Sequence, residues 1–230
     1  MNRGGGFYAE RKSSHLCQAE TLGLLMEHIV YVVDDDHAVR RSVVGLLESA
    51  GLNALDFSSA ESFLQHTFED VPSCVILDMQ MPTISGFEVA DSLKASGREI
   101  PIIYLTGHGT IPMTVKAMKG GAYEFLTKPV ASNDLLNSIG DALKLAEENA
   151  LQLREQYSLK QRHLSLTPRE QEVLQLAISG MLNKQIAAEL GVSEITVKVH
   201  RRRVMEKMQA RSLADLVRAA ERLTRSQPSE

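Results

Sequence analysis

Apolar residues along this chain follow two regimes of spacing. From residue 29, short continuous apolar runs alternate with stretches of helical period: IVYVV (29–33), LDF (55–57), CVILD (74–78), PIIYLT (101–106) and AYEFL (122–126). Runs apolar on both faces read as strands covered on both sides, and helical stretches between them require parallel crossovers. Val39, Val43, Leu46, Leu47 and Ala50 line one helical face, which Gly51 stops. Ser58, with Glu61 three positions on, predicts a capping box for the next helix. Further helices are expected over 86–95, over 111–119 and from about Asn133. Five strand–helix units in about 120 residues predict an α/β fold, a five-stranded parallel, doubly wound, flavodoxin-like sheet.

The last of these helices overruns the sheet domain. Leu136, Ile139, Leu143, Ala146, Ala150, Leu153 and Tyr157 alternate steps of three and four, a heptad seam flanked by Glu147, Glu148, Arg154 and Glu155. Two readings stand: one amphipathic helix joining two domains, or a parallel coiled coil whose seam alanines make the contact conditional. Beyond it the period is helical throughout. Thr167, Pro168 and Glu170 mark a helix start, Gly180 its end, and helices are expected over 183–190, from Ser193 to about Met208, and over 212–223. Their expected core is Val173, Leu176, Ile186, Leu190, Val197, Val204 and Leu213, a small all-α four-helix domain. The organisation is therefore a flexible extension over 1–27, the sheet domain over 28–144, a linker helix over 145–162 and the helical domain over 163–226. The apolar stretch Leu22 to Met26 is too short for a signal peptide, and a start at Met26 would leave a complete sheet domain.

Composition adds three exclusions. No run of 18 apolar residues occurs in the 230, so a membrane-spanning helix is excluded. Cys17 and Cys74 make neither a disulfide framework nor a cysteine-rich zinc site. Cys74 reads as a small core hydrophobe, and this usage suits a reducing, cytoplasmic setting. The net charge of −4 hides a split: residues 1–159 carry 12 Lys or Arg against 21 Asp or Glu, and residues 160–230 carry 13 against 8. Only the second part is suited to nucleic acid.

Candidate chemistry gathers where strands end, because an open parallel sheet carries its site at the carboxyl ends. Asp34, Asp35 and Asp36 follow the first strand, Asp78 the third, Thr106 the fourth, and Lys128 lies just past the fifth. An order beginning 2-1-3 brings the first and third strand ends together. Oxygen ligands without sulfur or histidine select Mg²⁺, with Mn²⁺ as a substitute. Lys128 and Thr106 add a positive charge and a hydroxyl suited to a phosphoryl oxygen. The set predicts a phosphoryl acceptor with an aspartate nucleophile.

VVDDD (32–36), LDMQMPTISG (77–86), Thr106 after IIYL, and FLTKP (125–129) resemble, in order and spacing, the landmarks of receiver domains of two-component response regulators. That resemblance implies that Asp78 is the phosphorylated aspartate. It implies Mg²⁺ held by Asp35, Asp78 and the Gln80 backbone carbonyl, with Asp34 on metal-bound water. Lys128 would pair with Asp78 and then with the phosphoryl group, across a Lys–Pro bond often cis in this family. Thr106 and Phe125 would be the switch pair. Thr83 stands where the family commonly has glycine, which changes a turn, and Asp36 is expected outside the ligand set.

In the basic part, Asn183 to Arg202 reads as two helices joined by a short turn at Gly191. Val197, Val204 and Met208 point inward. Lys198 and Arg202 share the opposite face with Ile195 and Val199, the composition of a face that enters a major groove; an ordinary solvated face is the alternative. LTPREQEVLQL, NKQIA and TVKVH resemble the LuxR/FixJ class of helix-turn-helix domains. The resemblance implies base reading by Lys198, Val199 and Arg202, and phosphate contacts by Asn183, Lys184, Thr196 and Lys207. His200 falls at a semi-buried family position without an acid–base role, while Arg201 and Arg203 read as backbone contacts or solubilising charges.

HGTIPMTVKAMKGGAYEFLTKP (108–129) is similar to the FixJ subfamily, which implies a dimer face on the fourth helix with Val115, Met118 and Lys119 as candidates; Val115 and Met118 also suit a core. The expected function is a phosphorylation-activated DNA-binding transcriptional activator. Its expected partners are a sensor histidine kinase, promoter DNA, a second copy of itself and RNA polymerase, with no membrane. It is expected not to be an enzyme, beyond slow self-dephosphorylation. Two alternatives remain: a Mg²⁺-dependent phosphatase or hydrolase using Asp78, and a metal- or partner-binding module with a vestigial DNA domain.

Overall fold

The structure, a computed structural model, describes residues 28–225; the expected extension over 1–27 lies outside them. The chain divides into two compact units at Glu147–Glu148.

In the first unit the order is β1 (Ile29–Val33), α1 (His37–Ser49), β2 (Asn53–Phe57), α2 (Ala60–Leu64), β3 (Ser73–Leu77), α3 (Gly86–Ala95), β4 (Ile102–Thr106), α4 (Ile111–Lys119), β5 (Glu124–Thr127) and the start of α5 (Ser132–Leu164). The strands form one parallel sheet in the order β2-β1-β3-β4-β5. Alternate residues of each central strand feed opposite faces. Tyr31, Val33, Val75, Leu77 and Tyr104 pack against Phe63, Val89 and Leu93 on one side. Val30, Val32, Cys74, Ile76 and Ile103 pack against Leu47, Leu135 and Ile139 on the other. That double coverage is why these strands read as unbroken apolar runs. Burial pushes the Cys74 thiol up to about 12, in keeping with an inert core residue.

Local expectations shift at three places. The cap of α2 is Ser59, not Ser58: its backbone is extended (φ −153°, ψ 155°) and its hydroxyl accepts from Ser62 N–H, so the Ser58–Glu61 box does not form. β2 begins two residues before the LDF run, because an edge strand with mostly exposed residues tolerates Asn53. β5 is displaced to Glu124–Thr127, in register with Ile103–Thr106.

The second unit holds the end of α5, α6 (Pro168–Ile178), α7 (Asn183–Leu190), α8 (Glu194–Met208) and α9 (Leu213–Arg225). Thr167 and Glu170 form the capping box of α6. One core patch joins Val173, Ala177, Ile186, Ala187 and Val197, and another joins Leu159, Leu166, Leu174, Val204, Met208 and Leu216. Leu213, expected in the core, is 39% exposed. As the first residue of α9 it leans over a turn that is not there, and Leu216 takes the inward place.

α5 is continuous from Ser132 to Leu164, and residues 145–162 lie within it. The heptad seam has two fates. Ile139, Leu143 and Ala146 are buried in the first unit, whereas Leu153 and Tyr157 in the second are 68% and 64% exposed. Among the described residues no helix is long and apolar enough to cross a membrane.

Candidate functional site

β1 and β3 pair with Val33 opposite Leu77, so Asp34 and Asp78 leave the sheet side by side. Asp78 N–H still donates to Val33 O at 2.9 Å. Asp34 and Asp78 are 3% and 8% exposed, and Asp35 is open to solvent. One carboxylate oxygen from each of the three lies within 4.8 Å of the others. Lys128, just beyond β5, donates from Nζ to Asp34 Oδ2 at 2.5 Å and to Asp78 Oδ2 at 2.9 Å. Its backbone N–H donates to Thr106 O, and the Lys128–Pro129 bond is cis.

The electrostatics follow from that crowding. Burial pushes Asp34 above the usual aspartate range, against the pull of the Lys128 ammonium and the Asp36 N–H. Burial pulls Lys128 down, but hydrogen bonds to Asp34 and Asp78 outweigh it and hold the ammonium above its ordinary value. Three carboxylates against one ammonium leave negative charge uncompensated, and an all-oxygen donor set fits a hard divalent cation.

Around this cluster stand the other expected residues. Thr106 is fully buried at the end of β4, its hydroxyl accepting from His108 N–H at 3.4 Å. Phe125 is half-buried, 6.4 Å from the Tyr104 ring. Gly109 crosses so closely that a Cβ there would meet the Phe125 ring at 2.9 Å. Gln80 is exposed, and its N–H donates to Asp78 Oδ1 at 3.1 Å. Thr83, expected to change the turn that glycine commonly makes, instead holds a left-handed φ of 72°, the backbone conformation that glycine favours. Asp36 is the N-cap of α1, accepting from Ala38 and Val39 N–H, which keeps it out of the acidic cluster. At this site Arg40 escaped the sequence reading: it lies buried beneath the acidic loop. A basic residue on a helix reads as solvated, and its backbone-carbonyl partners leave no trace in the sequence.

In the second unit, Gly191 (φ 66°) ends α7, and Arg169 donates to Leu190 O at 2.5 Å, fixing the turn into α8. Lys198 and Arg202 are exposed on α8 beside Ile195 (74% exposed) and Val199 (45%), so the expected reading face is open. Arg202 donates to Glu206 at 2.8 Å. Lys184 is exposed in the first turn of α7. Asn183 accepts from Arg201 at 2.8 Å, which gives Arg201 an internal role the sequence did not reveal. Thr196 is half-buried with its hydroxyl 2.9 Å from that of Ser193, and His200 is half-buried. Lys207 is a correction. Its ammonium donates to buried Glu170 at 2.6 Å and to Ser165 O at 3.0 Å, so it braces the domain rather than standing free for a phosphate.

On α4, Val115 and Met118 are 46% and 45% exposed and Lys119 is exposed. They do not belong to the core; Ala117 alone among the residues of that helix is buried.

A doubly wound sheet with an acidic, lysine-closed site, followed by a helix-turn-helix unit with an open basic face, is the architecture of two-component response regulators. Residues 30–140 match the response regulator receiver domain family, and residues 164–220 match the bacterial regulatory proteins of the luxR family. The chain is 50% identical over 200 residues to response regulator protein TmoT of Ectopseudomonas mendocina, covering 86% of this chain and 90% of that protein. It is 48% identical over 195 residues to nodulation protein W of Bradyrhizobium diazoefficiens, covering 85% and 86%. Among solved structures it is similar to the response regulator StyR (TM-score 0.79, 49% identity, 85% of this chain and 98% of that one). Full-length FixJ from B. japonicum also matches (TM-score 0.51, 39% identity, 88% and 100%). The chain belongs to the response regulators of the FixJ/LuxR class and is a two-component transcriptional regulator; these matches favour that reading over the hydrolase alternative.

Proposed function

We propose that Asp78 accepts a phosphoryl group from the phosphohistidine of a sensor kinase, and that the adduct drives dimerisation and promoter binding. The observation that carries this is the convergence of Asp34, Asp35, Asp78 and Lys128 at the ends of β1, β3 and β5. An Asp78 carboxylate oxygen attacks phosphorus, the P–N bond breaks and the imidazole leaves; an aspartyl phosphate forms. Mg²⁺, or Mn²⁺ in its place, would be held by Asp35, Asp78 and the Gln80 carbonyl, with Asp34 on bound water, and would supply charge neutralisation at the transferring oxygens. Lys128, already on Asp78, moves its hydrogen bond to the phosphoryl oxygens. Thr106 follows with its hydroxyl, and Phe125 turns into the space behind it.

Downstream, Val115, Met118 and Lys119 form the face on which a second copy docks, since exposed apolar side chains on a short helix gain most from mutual burial. Lys198, Val199 and Arg202 read bases; Lys184, with Asn183 and Thr196, contacts phosphates. RNA polymerase is the expected recipient of the activation, and hydrolysis is limited to slow loss of the adduct in the cytoplasm. Phosphorylation of the full chain with acetyl phosphate and Mg²⁺ should add one acid-labile group, absent from Asp78→Asn by mass spectrometry. Persistence of the adduct on Asp78→Asn removes this assignment.

A further inference from the structure

Arg40 occupies a position that electrostatics alone disfavours. Its side chain is 9% exposed, in the first turn of α1, where the helix dipole repels cations, and it lies close to the acids that would hold Mg²⁺. Its contacts outweigh that cost. Nη1 donates to Asp34 O at 2.7 Å and to Asp35 O at 3.1 Å, and Nε donates to Asp56 Oδ2 at 3.2 Å. Asp56 comes from β2, so one planar group joins the acidic loop, α1 and the neighbouring strand. The Asp56 carboxylate also offsets the guanidinium charge, so a cation above the loop meets a nearly neutral pair.

We infer that Arg40 is the positioning residue of the acidic site: it fixes the Asp34–Asp35 backbone so that both carboxylates converge with Asp78. This rests on the reading of these acids as a Mg²⁺ site. A lysine cannot replace it fully, because a single ammonium does not present the rigid fork that spans two carbonyls and a carboxylate. Two effects oppose each other on removal. Losing a nearby positive charge favours the cation, whereas freeing the loop disfavours it. Since Asp56 already neutralises Arg40, the positional effect dominates.

The test is calorimetric Mg²⁺ titration of the full chain, with urea unfolding in EDTA as the metal-free measure of folding. Arg40→Gln should raise the Mg²⁺ dissociation constant roughly tenfold or more, in the range of outer-shell changes at metal sites. Arg40→Lys should fall between Arg40→Gln and wild type, and Arg41→Gln, on the exposed side of α1, should match wild type. The urea rise that Mg²⁺ gives wild type should shrink in step with affinity. Arg40→Gln binding Mg²⁺ as tightly as wild type, or more tightly, overturns the inference. If Arg40→Gln does not fold, Arg40→Lys decides by the same criterion. Wild type that takes up no Mg²⁺, or Asp78→Asn that binds it equally, defeats the reading of the site and this inference with it. Normal wild-type binding with unaffected Arg40 variants defeats the inference alone.

Discussion

Thr83 holds a φ of 72° in a three-residue turn in which Ile84 N–H donates to Pro82 O at 2.8 Å. A β-branched side chain in that region crowds its own carbonyl at about 1–2 kcal/mol, while glycine there adds about 0.5–1 kcal/mol of unfolded-state entropy. Strain outweighs entropy. Thr83→Gly should therefore raise the first unit's stability by about 0.5–1 kcal/mol, read as a higher urea midpoint at unchanged slope; a lower midpoint would mean that the turn is not held in this conformation. Glu170 tests the opposite kind of site. Burial alone would raise its carboxyl, but Lys207 and the Thr167 N–H and hydroxyl outweigh that and hold it below its ordinary value of 4.5. A depressed folded-state value means that the ionised form stabilises the fold above about pH 4.5, and that this contribution is lost as pH falls through the lowered value. Glu170→Gln should cost about 1–2 kcal/mol at pH 7, discounted for the part-exposed Lys207, and nothing at low pH. Equal losses at pH 7 and pH 3 in chemical denaturation would show that the pair is not the cause. At this scale the sequence was readable where residues end apolar runs, as Asp34, Asp78 and Thr106 do. It was mute for Arg40, Arg169 and Arg201, whose partners include backbone carbonyls or a side chain on another helix.

Among the elements, α7 and α8 are proposed to divide the DNA-facing work by position. Lys198 and Arg202 lie one turn apart on α8, about 6 Å along its axis, comparable with the reach from one base pair to the next. To read a base as proposed, Arg202 would have to leave Glu206. An exposed i,i+4 pair contributes little, against about 1–3 kcal/mol for a guanine contact, so on the proposed reading the base contact would win. Arg202→Ala should cost that larger amount on a cognate operator and flatten discrimination there. Lys184→Ala should weaken all sequences alike and lower the salt slope by about one unit. Salt titrations against operator and scrambled duplex separate the two; equal loss on both duplexes for Arg202→Ala would place that residue on the backbone. The elements themselves were legible because unbroken apolar runs such as IVYVV of β1 contrast with the helical spacing of Val197, Val204 and Met208 in α8. Their ends were less so: Ser58 and Ser59 are chemically equivalent, and only the backbone angles choose the cap.

Over the whole chain, the end of α5 changes what counts as the DNA-binding domain. Leu159 is 7% exposed within the core of Leu166, Leu174, Val204, Met208 and Leu216. Arg162, one turn on, donates to Met208 O and to the side-chain Gln209 Oε1, both at 3.2 Å, and so covers a carbonyl at the end of α8 that the helix itself leaves unpaired. The heptad spacing treated this stretch as a connector, because a seam of Leu and Tyr carries no mark of which residue turns toward a later domain. A fragment of residues 148–230 should therefore fold cooperatively, whereas 160–230 loses the Leu159 side chain and about 2–4 kcal/mol with it, seen as a lower Tm. Charge then sets how the sound fragment binds. Without the strongly acidic first part, where 19 Asp or Glu stand against 11 Lys or Arg over residues 1–147, the fragment should bind DNA with no phosphoryl donor. It should bind more tightly than the unphosphorylated full chain at low salt, and the gap should narrow as salt screens the acidic field. A gap that stays constant from about 50 to about 300 mM salt would mean that contact rather than field restrains the full chain. No gap at any salt would mean that the first unit imposes no restraint on DNA binding.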